Sequence, residues 1–533
     1  LIPKPIPGIP YNRISASMPW GELVALGIYN LRTGEVFSWL SLQCRKRQSP
    51  IIQLFIPSFS YHRPTVVVAD LREIEDIVTK RLDEIDRSPL MHDFFGLLVP
   101  RATIGMPTGS VFKQQRRLWN SMLSPKFLRE VAAPKFHETF IQLSVLWREK
   151  AKVAQFDAFE INEDIKLATL DAIWQMAVGS DLGLLVNNRL SIRSDVVSRS
   201  NGKIKFAPVT RPPFYRSLCT LLTCLDWVMQ GVSPRMYTWI FRHTSMLPSA
   251  ERVKNDVLDE IIHKARENVI REEKSSTPCA LDHVLRQDAT CTSRSGAASS
   301  NEALRDELLE LLITGHETTA SSISWAIKYL TDHQSIQKSL RASLYAAFPG
   351  TSPANLPSAN DLASTALHYL DAVIEEVLRL SRTGPVSFRQ AIKDCNILGH
   401  QVPAGTPIIL VTAGPSYDDP NRPTVPEALR SPTSRATRLR RKDSRTITEL
   451  HPDQFIPERW LTPDRQFNHS AVHSLPFSSG PRGCFGKKIA LLEMRLMISL
   501  LVIQFEFPKL PAHLSRYTAK DGLTRRPVCS YVR

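Results

Sequence analysis

Apolar residues recur along most of this chain at the three- and four-residue spacing of amphipathic helices. Such segments cover residues 112–150, 159–179, 215–242, 250–272, 301–348, 360–381 and 485–503. Strand patterns are shorter: one opens at Pro64, another covers residues 386–392, and two short strands flank turns in residues 395–406. The pattern therefore predicts a mainly α fold with a small β region, an α+β protein.

Two polar segments interrupt the helical pattern. Residues 275–300 are rich in Ser, Thr, Ala and Gly, and residues 420–450 carry prolines and a basic run. The cations of that run are Arg435, Arg438, Arg440, Arg441, Lys442 and Arg445. A run of this kind is more often a solvated, mobile loop than a binding site. We therefore predict surface insertions at both places, and disorder in the second.

The composition is that of a large globular protein, with 43% hydrophobic and 22% charged residues among 533. That length suggests about three domains, yet no shift of composition marks a boundary. Eight cysteines are too sparse for a disulfide scaffold, and none has zinc-site spacing. The net charge of +15 suits a solvated surface, an acidic protein partner or an anionic membrane. Nucleic-acid binding is less well supported, because no recognition motif accompanies the basic residues.

One cysteine, Cys484, lies in a glycine-rich loop, Phe477–Gly486, directly before an apolar stretch. Glycines let a backbone approach a flat ligand closely, and amides at a helix start, together with Arg482, favour an anionic sulfur. The simplest alternative is an inert, buried cysteine. A phosphate-binding loop is excluded, because Pro481 stands where its first glycine must be and Lys488 replaces its Ser or Thr.

The loop fits the spacing Phe-x-x-Gly-x-Arg-x-Cys-x-Gly-x-x-x-Ala at Phe477, Gly480, Arg482, Cys484, Gly486 and Ala490. This pattern resembles the haem-binding loop of the cytochrome P-450 superfamily. The resemblance implies haem b (iron protoporphyrin IX) as cofactor, with Cys484 as the axial thiolate ligand of its iron. It further implies Arg482 near a haem propionate, with Phe477 and Gly486 beside the ligand.

A long helix is predicted from residue 301, with Ser299 and Glu302 as a capping box and four leucines on one face. Gly315 in its middle costs about 1 kcal/mol relative to alanine. Taken alone, this glycine indicates a close crossing of two helices. It also allows a ligand to approach the backbone.

The segment Thr314–Thr319 resembles the superfamily's oxygen-activating segment on the helix over the distal haem face. The resemblance implies Thr318 as a hydrogen-bond donor to dioxygen as it is reduced, and Glu317 as a proton-relay carboxylate. Thr314 replaces the usual small residue, which changes the expected shape of the pocket. His316 is not expected to bind iron, because Cys484 would already be its protein ligand.

Three further matches concern charged residues. Glu376 and Arg379, spaced i, i+3 on an amphipathic helix, resemble the superfamily's Glu-x-x-Arg pair, which forms a buried structural triad with Arg459. Arg116 matches the arginine of a Trp-x-x-x-Arg motif, although Phe112 stands in the Trp position. By the same resemblance, Arg389 is expected to bind a haem propionate.

The resemblance extends over almost the whole chain and is strongest to membrane-bound fungal members. It implies a proline-rich hinge over residues 1–14, following a membrane anchor upstream, and a single catalytic domain over residues 15–533. The expected location is the cytosolic face of the endoplasmic reticulum membrane.

The implied function is a haem-thiolate monooxygenase that inserts one atom of O₂ into an apolar small molecule. Its role would be in fungal secondary metabolism or in fatty-acid or xenobiotic oxidation. Because the chain has no dinucleotide fingerprint, NADPH electrons are expected from a separate NADPH–cytochrome P-450 reductase, or from cytochrome b5. The alternatives are a haem-thiolate isomerase or peroxide-rearranging enzyme, and a catalytically silent haem protein.

Overall fold

The computed structural model of the chain describes residues 3–57, 63–192, 197–230, 233–271, 278–295, 300–412, 425–440 and 451–533. Its α-helices before residue 300 are Arg13–Ser17, Leu23–Thr33, Val36–Lys46, Leu71–Lys80, Leu90–Phe95, Ser110–Trp119, Pro125–Phe127, Ala133–Ala154, Asn162–Val178, Leu184–Leu190, Pro213–Gln230, Pro234–Arg242, Met246–Ile270 and Ala280–Ser295. Those after it are Asn301–Asp332, Gln334–Ala347, Ala359–Ser364, His368–Ser381, Pro432–Arg440 and Lys487–Gln504. The predicted mainly α fold is confirmed.

The helix Asn301–Asp332, here called the central helix, is buried along most of its length. It packs most extensively against Asn162–Val178, and also contacts His368–Ser381 and Lys487–Gln504. At the crossing, a Cβ on Gly315 would lie 3.2 Å from a side-chain carbon of Ile173. Glycine therefore allows the two helix backbones to approach closely.

The start of the central helix corrects the predicted capping box. The N-cap is Ser300, whose hydroxyl accepts a hydrogen bond from the N–H of Ala303. With Ser300 as the N-cap, the third residue of the helix is Ala303. The capping box predicted from Ser299 and Glu302 is therefore displaced by one position. Two adjacent serines satisfy the same capping preference, so the sequence alone could not place the first turn.

A five-stranded sheet lies beside the helices in the order Ile51–Leu54, Thr65–Val68, Pro407–Val411, Val386–Ala391, Ile85–Arg87. Its last two strands are antiparallel and bring Arg87 opposite Arg389. The smaller sheets are made from the strands Ala158–Glu160, Val197–Ser200, Lys203–Phe206, Cys395–Ile397, His400–Val402, Ala519–Lys520, Arg526–Pro527 and Tyr531–Val532.

The helix Lys487–Gln504, here called the proximal helix, begins directly after the loop that carries Cys484. It packs on Ala133–Ala154 and on the central helix. Most of its residues from Ile489 onward are buried. Among the helices that the structure describes, none is both long and apolar enough to cross a bilayer.

The two predicted insertions contain regular structure in their described parts. Ala280–Ser295 is a helix where a loop was expected. Residues 425–440, predicted to be disordered, form a 3₁₀ turn and the helix Pro432–Arg440. The buried Arg430 guanidinium donates to both carboxylate oxygens of Asp70, at 2.8 and 2.9 Å. The prediction of disorder is wrong for this part; residues 441–450, with the rest of the basic run, lie outside the described residues.

Candidate active site

The loop before the proximal helix folds tightly around Cys484. The N–H of Cys484 donates to the carbonyl of Phe477 at 2.8 Å, and Ser478 and Gly480 have φ of 55° and 69°. A Cβ on Gly480 would lie 2.0 Å from the carbonyl oxygen of Val78. Only glycine combines this positive φ with so close an approach to another backbone.

The Cys484 side chain is solvent-accessible and opens into an internal cavity of about 390 Å³. Burial within the protein raises the pKa of its thiol, against the opposing effects of the Gly486 N–H and Arg116. The cavity is also lined by Phe477 and Gly486 of the same loop. Its wall on the central helix carries Thr314, Gly315, Thr318 and Thr319. The structure thus brings the cysteine loop and the predicted oxygen-activating segment to one cavity.

Two of the predicted arginines lie at this cavity. Arg482 donates to the hydroxyl of Thr108 at 2.8 Å, and its guanidinium carbon lies 3.8 Å from the centre of the Phe112 ring. Arg116 donates to the carbonyl of Gly483 at 3.4 Å. Its guanidinium also lies over Phe485, at 4.4 Å from the ring centre. Phe112, in the position of the missing Trp, therefore supports Arg482 through a cation–π contact.

The sequence reasoning missed Arg87, which lines the cavity from the edge strand Ile85–Arg87. Burial lowers its pKa to about 10, and its Nε has no hydrogen-bond partner in the structure. Arg389, which was predicted at the cofactor, lies opposite it in the sheet and does not line the cavity. Burial, followed by the charges of Arg87 and Arg482, lowers the pKa of Arg389 to about 9.

Two carboxyls of the central helix, Glu307 and Glu310, line the cavity near these arginines. The N–H of Thr103 donates to Glu307 at 2.8 Å, and that of Ile104 donates to Glu310 at 3.0 Å. The Thr103 hydroxyl lies 3.4 Å from both carboxyls. Burial and the neighbouring Glu310 raise the pKa of Glu307 to about 9, so the pair holds a proton at neutral pH.

Hydroxyl groups of the central helix bond back to its own carbonyls. Thr318 donates to the carbonyl of Thr314 at 2.6 Å, and Thr314 donates to that of Glu310 at 2.7 Å. Thr319 likewise donates to Gly315 at 2.9 Å. These hydroxyls therefore stand in the cavity wall with their protons turned towards the helix backbone.

Glu317, the predicted relay carboxylate, is buried but does not line the cavity. It accepts a hydrogen bond of 2.9 Å from the ammonium of Lys166, a partner that the sequence reasoning missed. Burial is the largest influence and opposes ionisation, but the charge and hydrogen bond of Lys166, together with His316 and Arg526, hold the pKa of Glu317 below its ordinary value. His316 is buried beside the pair, and burial lowers its pKa.

The predicted structural triad is brought together between the helix His368–Ser381 and the 3₁₀ turn Pro457–Trp460. Arg379 donates to both oxygens of Glu376 at 2.8 Å, and the Nε of Arg459 donates to it at 3.0 Å. The sequence reasoning missed the indole N–H of Trp460, which donates to Glu376 at 2.9 Å. Both guanidiniums also donate to backbone carbonyls of residues 451–454, which ties this segment to the helix His368–Ser381.

The sequence model of the family described as cytochrome P450, written here as P-450, matches residues 28–420 and 450–527. A cytochrome P-450 monooxygenase of Pestalotiopsis microspora is 33% identical over 100% of this chain and 94% of its own length. The monooxygenase TRI13 of Fusarium sporotrichioides is 29% identical over 100% of this chain and 95% of its own length. The monooxygenase xilC of Penicillium rubens is 30% identical over 99% of this chain and 91% of its own length. With its cysteine loop, its helical fold and these relatives, the chain belongs to the cytochrome P-450 family of haem-dependent monooxygenases.

Proposed function

We propose that this monooxygenase inserts one atom of O₂ into a C–H or C=C bond of an apolar small molecule, using electrons from NADPH. The proposal rests above all on one observation. The Cys484 thiol opens into a cavity that is also lined by Thr314, Thr318 and Thr319 of the central helix. Its fungal relatives, such as xilC of Penicillium rubens, favour a role in secondary metabolism.

The residues around the cavity fit a haem. The guanidinium groups of Arg87, Arg116, Arg389 and Arg482 influence one another electrostatically, and the nearby carboxyls are Asp86, Glu307 and Glu310. Because burial raises the pKa of both glutamates, they carry less than their full negative charge at neutral pH, and positive charge is in excess. The Nε atoms of Arg87, Arg116 and Arg389 also have no hydrogen-bond partner in the structure. A ligand with two carboxylates, as haem b has in its propionates, would balance this charge.

Cys484 would hold the iron through its thiolate, and Arg87, Arg116 and Arg482 would hold the propionates. A haem bound in this way supplies the reductive activation of O₂. Thr318 would present its hydroxyl to the reacting oxygen after turning from the carbonyl of Thr314. Glu317 would carry protons to Thr318. Before it does so, its carboxylate must leave the ion pair with Lys166 and take up a proton from solvent. Glu376, Arg379 and Arg459 would hold the fold around the loop and take no part in the chemistry.

A separate reductase would dock beside the proximal helix. A groove of about 470 Å³ lies there, with an apolar floor that includes Leu491 and Leu492. Its exposed cations are Arg129 and Lys488, the second only four residues after Cys484. Of the acids in the groove, Asp371 pairs with Arg495 at 2.5 Å, and Glu375 lies 3.8 Å from the imidazole of His469. The groove therefore offers exposed cations to an acidic electron donor, either the reductase or cytochrome b5.

Membrane association would use two exposed apolar faces. Val24, Ile28 and Leu31, which are 53%, 46% and 90% exposed, follow one side of the helix Leu23–Thr33. The helix Pro234–Arg242 exposes Met236, Trp239 and Ile240 in the same way. Both faces suit the surface of the endoplasmic reticulum membrane. Flotation with lipid vesicles, compared with a variant in which Val24, Ile28 and Leu31 are serine, would test this.

Hydrogen bonds of one residue, Asp521, link the end of the first helix to the segment just before the second. The backbone N–H of Asp521 donates to the carbonyl of Gly34, at the end of the first helix. The carbonyl of Asp521 accepts a hydrogen bond from Gln230, just before the second helix. The two helices are thus linked through the C-terminal part of the chain, and we propose that both apolar faces contact the same lipid surface.

The decisive experiment combines a spectrum with a reconstitution. The reduced protein with carbon monoxide should show the red-shifted Soret band typical of thiolate-ligated haem, and Cys484→Ala should abolish it. Cys219→Ala, at another exposed cysteine, should leave the band unchanged. Product formation should require NADPH and the reductase.

The main rival is an isomerase or peroxide-rearranging enzyme, and one observation favours it. Glu317 faces Lys166 instead of the cavity, whereas proton delivery needs it to turn. Turnover of a peroxide substrate without NADPH and reductase would establish the rival. A spin-state change on ligand binding, with no product under either condition, would indicate a catalytically silent haem protein.

A further inference from the structure

One end of the cavity is polar, although the substrate class proposed above is apolar. Gln115, Trp119 and Glu310 line the cavity there, and we call these three residues the polar end. The amide of Gln115 donates to the carbonyl of Arg101 at 3.4 Å, and the N–H of Ile104 in the same loop donates to Glu310 at 3.0 Å. The loop therefore links the helix that carries Gln115 and Trp119 to the central helix.

Each residue of the polar end has a polar atom without a hydrogen-bond partner among the described residues. Trp119 is 3% exposed, and its indole N–H has no acceptor. The amide oxygen of Gln115 has no donor. Glu310 uses only its Oε2 atom, which accepts from Ile104 and lies 3.4 Å from the Thr103 hydroxyl, so its Oε1 atom is open to a ligand. Because buried polar groups are normally paired, these atoms indicate that a polar ligand group binds here.

The chemistry of these three atoms defines the ligand group that would satisfy them. The indole N–H of Trp119 can only donate a hydrogen bond, and the amide oxygen of Gln115 can only accept one. Burial raises the pKa of Glu310, so its Oε1 atom can donate when the carboxyl is protonated and accept when it is ionised. The ligand group must therefore both accept and donate, as a hydroxyl does. An ionised propionate, a ketone or an ether has no proton to give to Gln115, and an ammonium group cannot accept from Trp119.

The wall next to the polar end suits the apolar part of such a ligand. Glu310, Thr314 and Thr318 follow one another at four-residue spacing on the central helix, and all three line the cavity. Eight residues of an α-helix rise by about 12 Å, so a ligand held at Glu310 can extend along this row to Thr318. Ile104 and Leu311 add apolar side chains to the same cavity. A carbon about 12 Å from the hydroxyl of the ligand would therefore lie near Thr318.

We propose that the substrate of this monooxygenase carries a hydroxyl group, which Gln115, Trp119 and Glu310 bind at the polar end of the cavity. The inference rests on the proposed function and names its substrate class, an alcohol on an apolar skeleton. The hydroxyl donates to Gln115 or Glu310 and accepts from Trp119, while the skeleton extends towards Thr318. A reaction that installs a hydroxyl, such as an earlier oxygenation or the addition of water, must therefore supply this substrate.

The test measures ligand binding by calorimetry on the haem-loaded protein, which requires neither NADPH nor reductase. The probes are decan-1-ol, decyl methyl ether, decane and the decyltrimethylammonium ion, which share one alkyl chain. Decan-1-ol should bind about 5-fold more tightly than the ether, which cannot donate, because one hydrogen bond usually contributes about that much. The ether should bind more tightly than decane, which has no polar group. Equal binding of decan-1-ol and decane would overturn the proposal, as would tighter binding of the ammonium ion than of the alcohol.

Substitutions at the polar end locate the bound hydroxyl. Trp119→Phe removes the indole N–H, and it should weaken binding of decan-1-ol and the ether by about 5-fold without weakening that of decane. The double variant Gln115→Leu/Glu310→Leu removes both acceptors and should abolish the preference for the alcohol over the ether. Trp174→Phe is the matched control, because Trp174 is also buried but does not line the cavity. This control should leave all four affinities unchanged.

Failure of this inference can be told apart from failure of the proposed function. A wild-type protein without the thiolate spectrum or NADPH-dependent product would overturn the proposed function, whatever the calorimetric result. A fully active enzyme in which Trp119→Phe and the double variant keep the wild-type preference for the alcohol would overturn the role of the polar end alone. If the double variant fails to bind haem, the affinities of Trp119→Phe decide the question.

Discussion

At the scale of single residues, Gly480 determines whether the cysteine loop can form. Its φ of 69° is in the left-handed region, and the carbonyl oxygen of Val78 occupies the space a side chain would need. Both constraints act four residues before Cys484. Glycine is therefore required at this position of the motif because the backbone of the helix Leu71–Lys80 lies against it, and not only because a ligand must approach the loop.

We expect Gly480→Ala to lose haem. The left-handed conformation alone costs a non-glycine residue about 1–2 kcal/mol, and the overlap with Val78 must be relieved by moving the loop. Bound haem per polypeptide, measured by absorbance, should fall severalfold. Gly27→Ala is the matched control, because no atom lies within 4 Å of its Cβ position. Equal haem content in the two variants would contradict this account of the loop.

The ion pair between Lys166 and Glu317 also has a testable effect on the stability of the fold. Because the pKa of Glu317 is lowered on folding, its ionised form stabilises the protein above the unfolded pKa, and this contribution is lost as the pH falls through the folded pKa. Lys166→Met leaves the buried carboxylate without its cation. We expect a loss of about 3 kcal/mol at pH 7, the lower end of the range for a broken buried pair, because the Lys166 side chain is 24% exposed.

Urea unfolding at neutral pH and near pH 4 provides the measurement. The loss should shrink at the lower pH, because Glu317 of the variant takes up a proton there, and it should vanish only below the lowered folded pKa of Glu317 in the wild type. The double variant Lys166→Met/Glu317→Gln should recover most of the stability at neutral pH. An equal loss at both pH values would assign the effect to packing and not to charge.

At the scale of elements, residues 425–440 show how a polar segment can be held by one neighbouring helix. Arg430 pairs with Asp70, and Arg72 donates to both Glu427 and the carbonyl of Ser434. Asp76 accepts from the hydroxyls of Ser431 and Thr433. The contacts of Arg72 and Asp76 lie along one side of the helix Leu71–Lys80, which also touches the cysteine loop.

We expect Arg430→Met to release this segment. Both side chains of the Arg430–Asp70 pair are nearly buried, at 7% and 10% exposure, so removing the cation should cost about 3 kcal/mol. Limited proteolysis should cut the variant within residues 425–440 and leave the wild type intact there. Arg435→Met, on an exposed position of the same segment, should behave like the wild type.

Elements that depend on local periodicity were predictable from the sequence. Most long helices, and the strands Thr65–Val68 and Val386–Ala391, lie in the segments that the apolar spacing marked. Four of the predicted helical segments (112–150, 215–242, 301–348 and 360–381) contain more than one helix, and Ala280–Ser295 was missed. The cysteine loop was recognisable because its residues are contiguous. Ser300 as the true N-cap was missed, because two adjacent serines can serve equally well.

What the sequence could not give are partners brought together from distant parts of the chain. Arg87 reaches the cavity only because its strand pairs with Val386–Ala391. Lys166 meets Glu317 across a helix crossing, 151 residues away. Neither residue can be recognised from its neighbours in the sequence, because a single cation on a helix or strand usually faces solvent. The roles assigned here to the site residues remain predictions for the experiments above.

At the scale of the whole molecule, the net charge of +15 should govern the encounter with an acidic electron donor. We expect the rate of the first electron transfer from reductase to fall as ionic strength rises. Arg129→Glu and Lys488→Glu, both in the groove beside the proximal helix, should lower that rate at low salt. Lys205→Glu, on an exposed strand position outside the groove, should have little effect. The comparison is made by stopped-flow reduction under carbon monoxide.

The cysteine loop is held by contacts with residues that come much earlier in the chain. Gly480 rests on Val78, Arg482 bonds to Thr108, and Gly483 accepts from Arg116. The last two bonds each span more than 360 residues. During synthesis, the ribosome must therefore extend the chain through residue 486 before the haem pocket can close. Cofactor insertion would then follow the synthesis of all the segments that hold the loop, and a chain truncated before residue 477 would be released without the loop that retains haem.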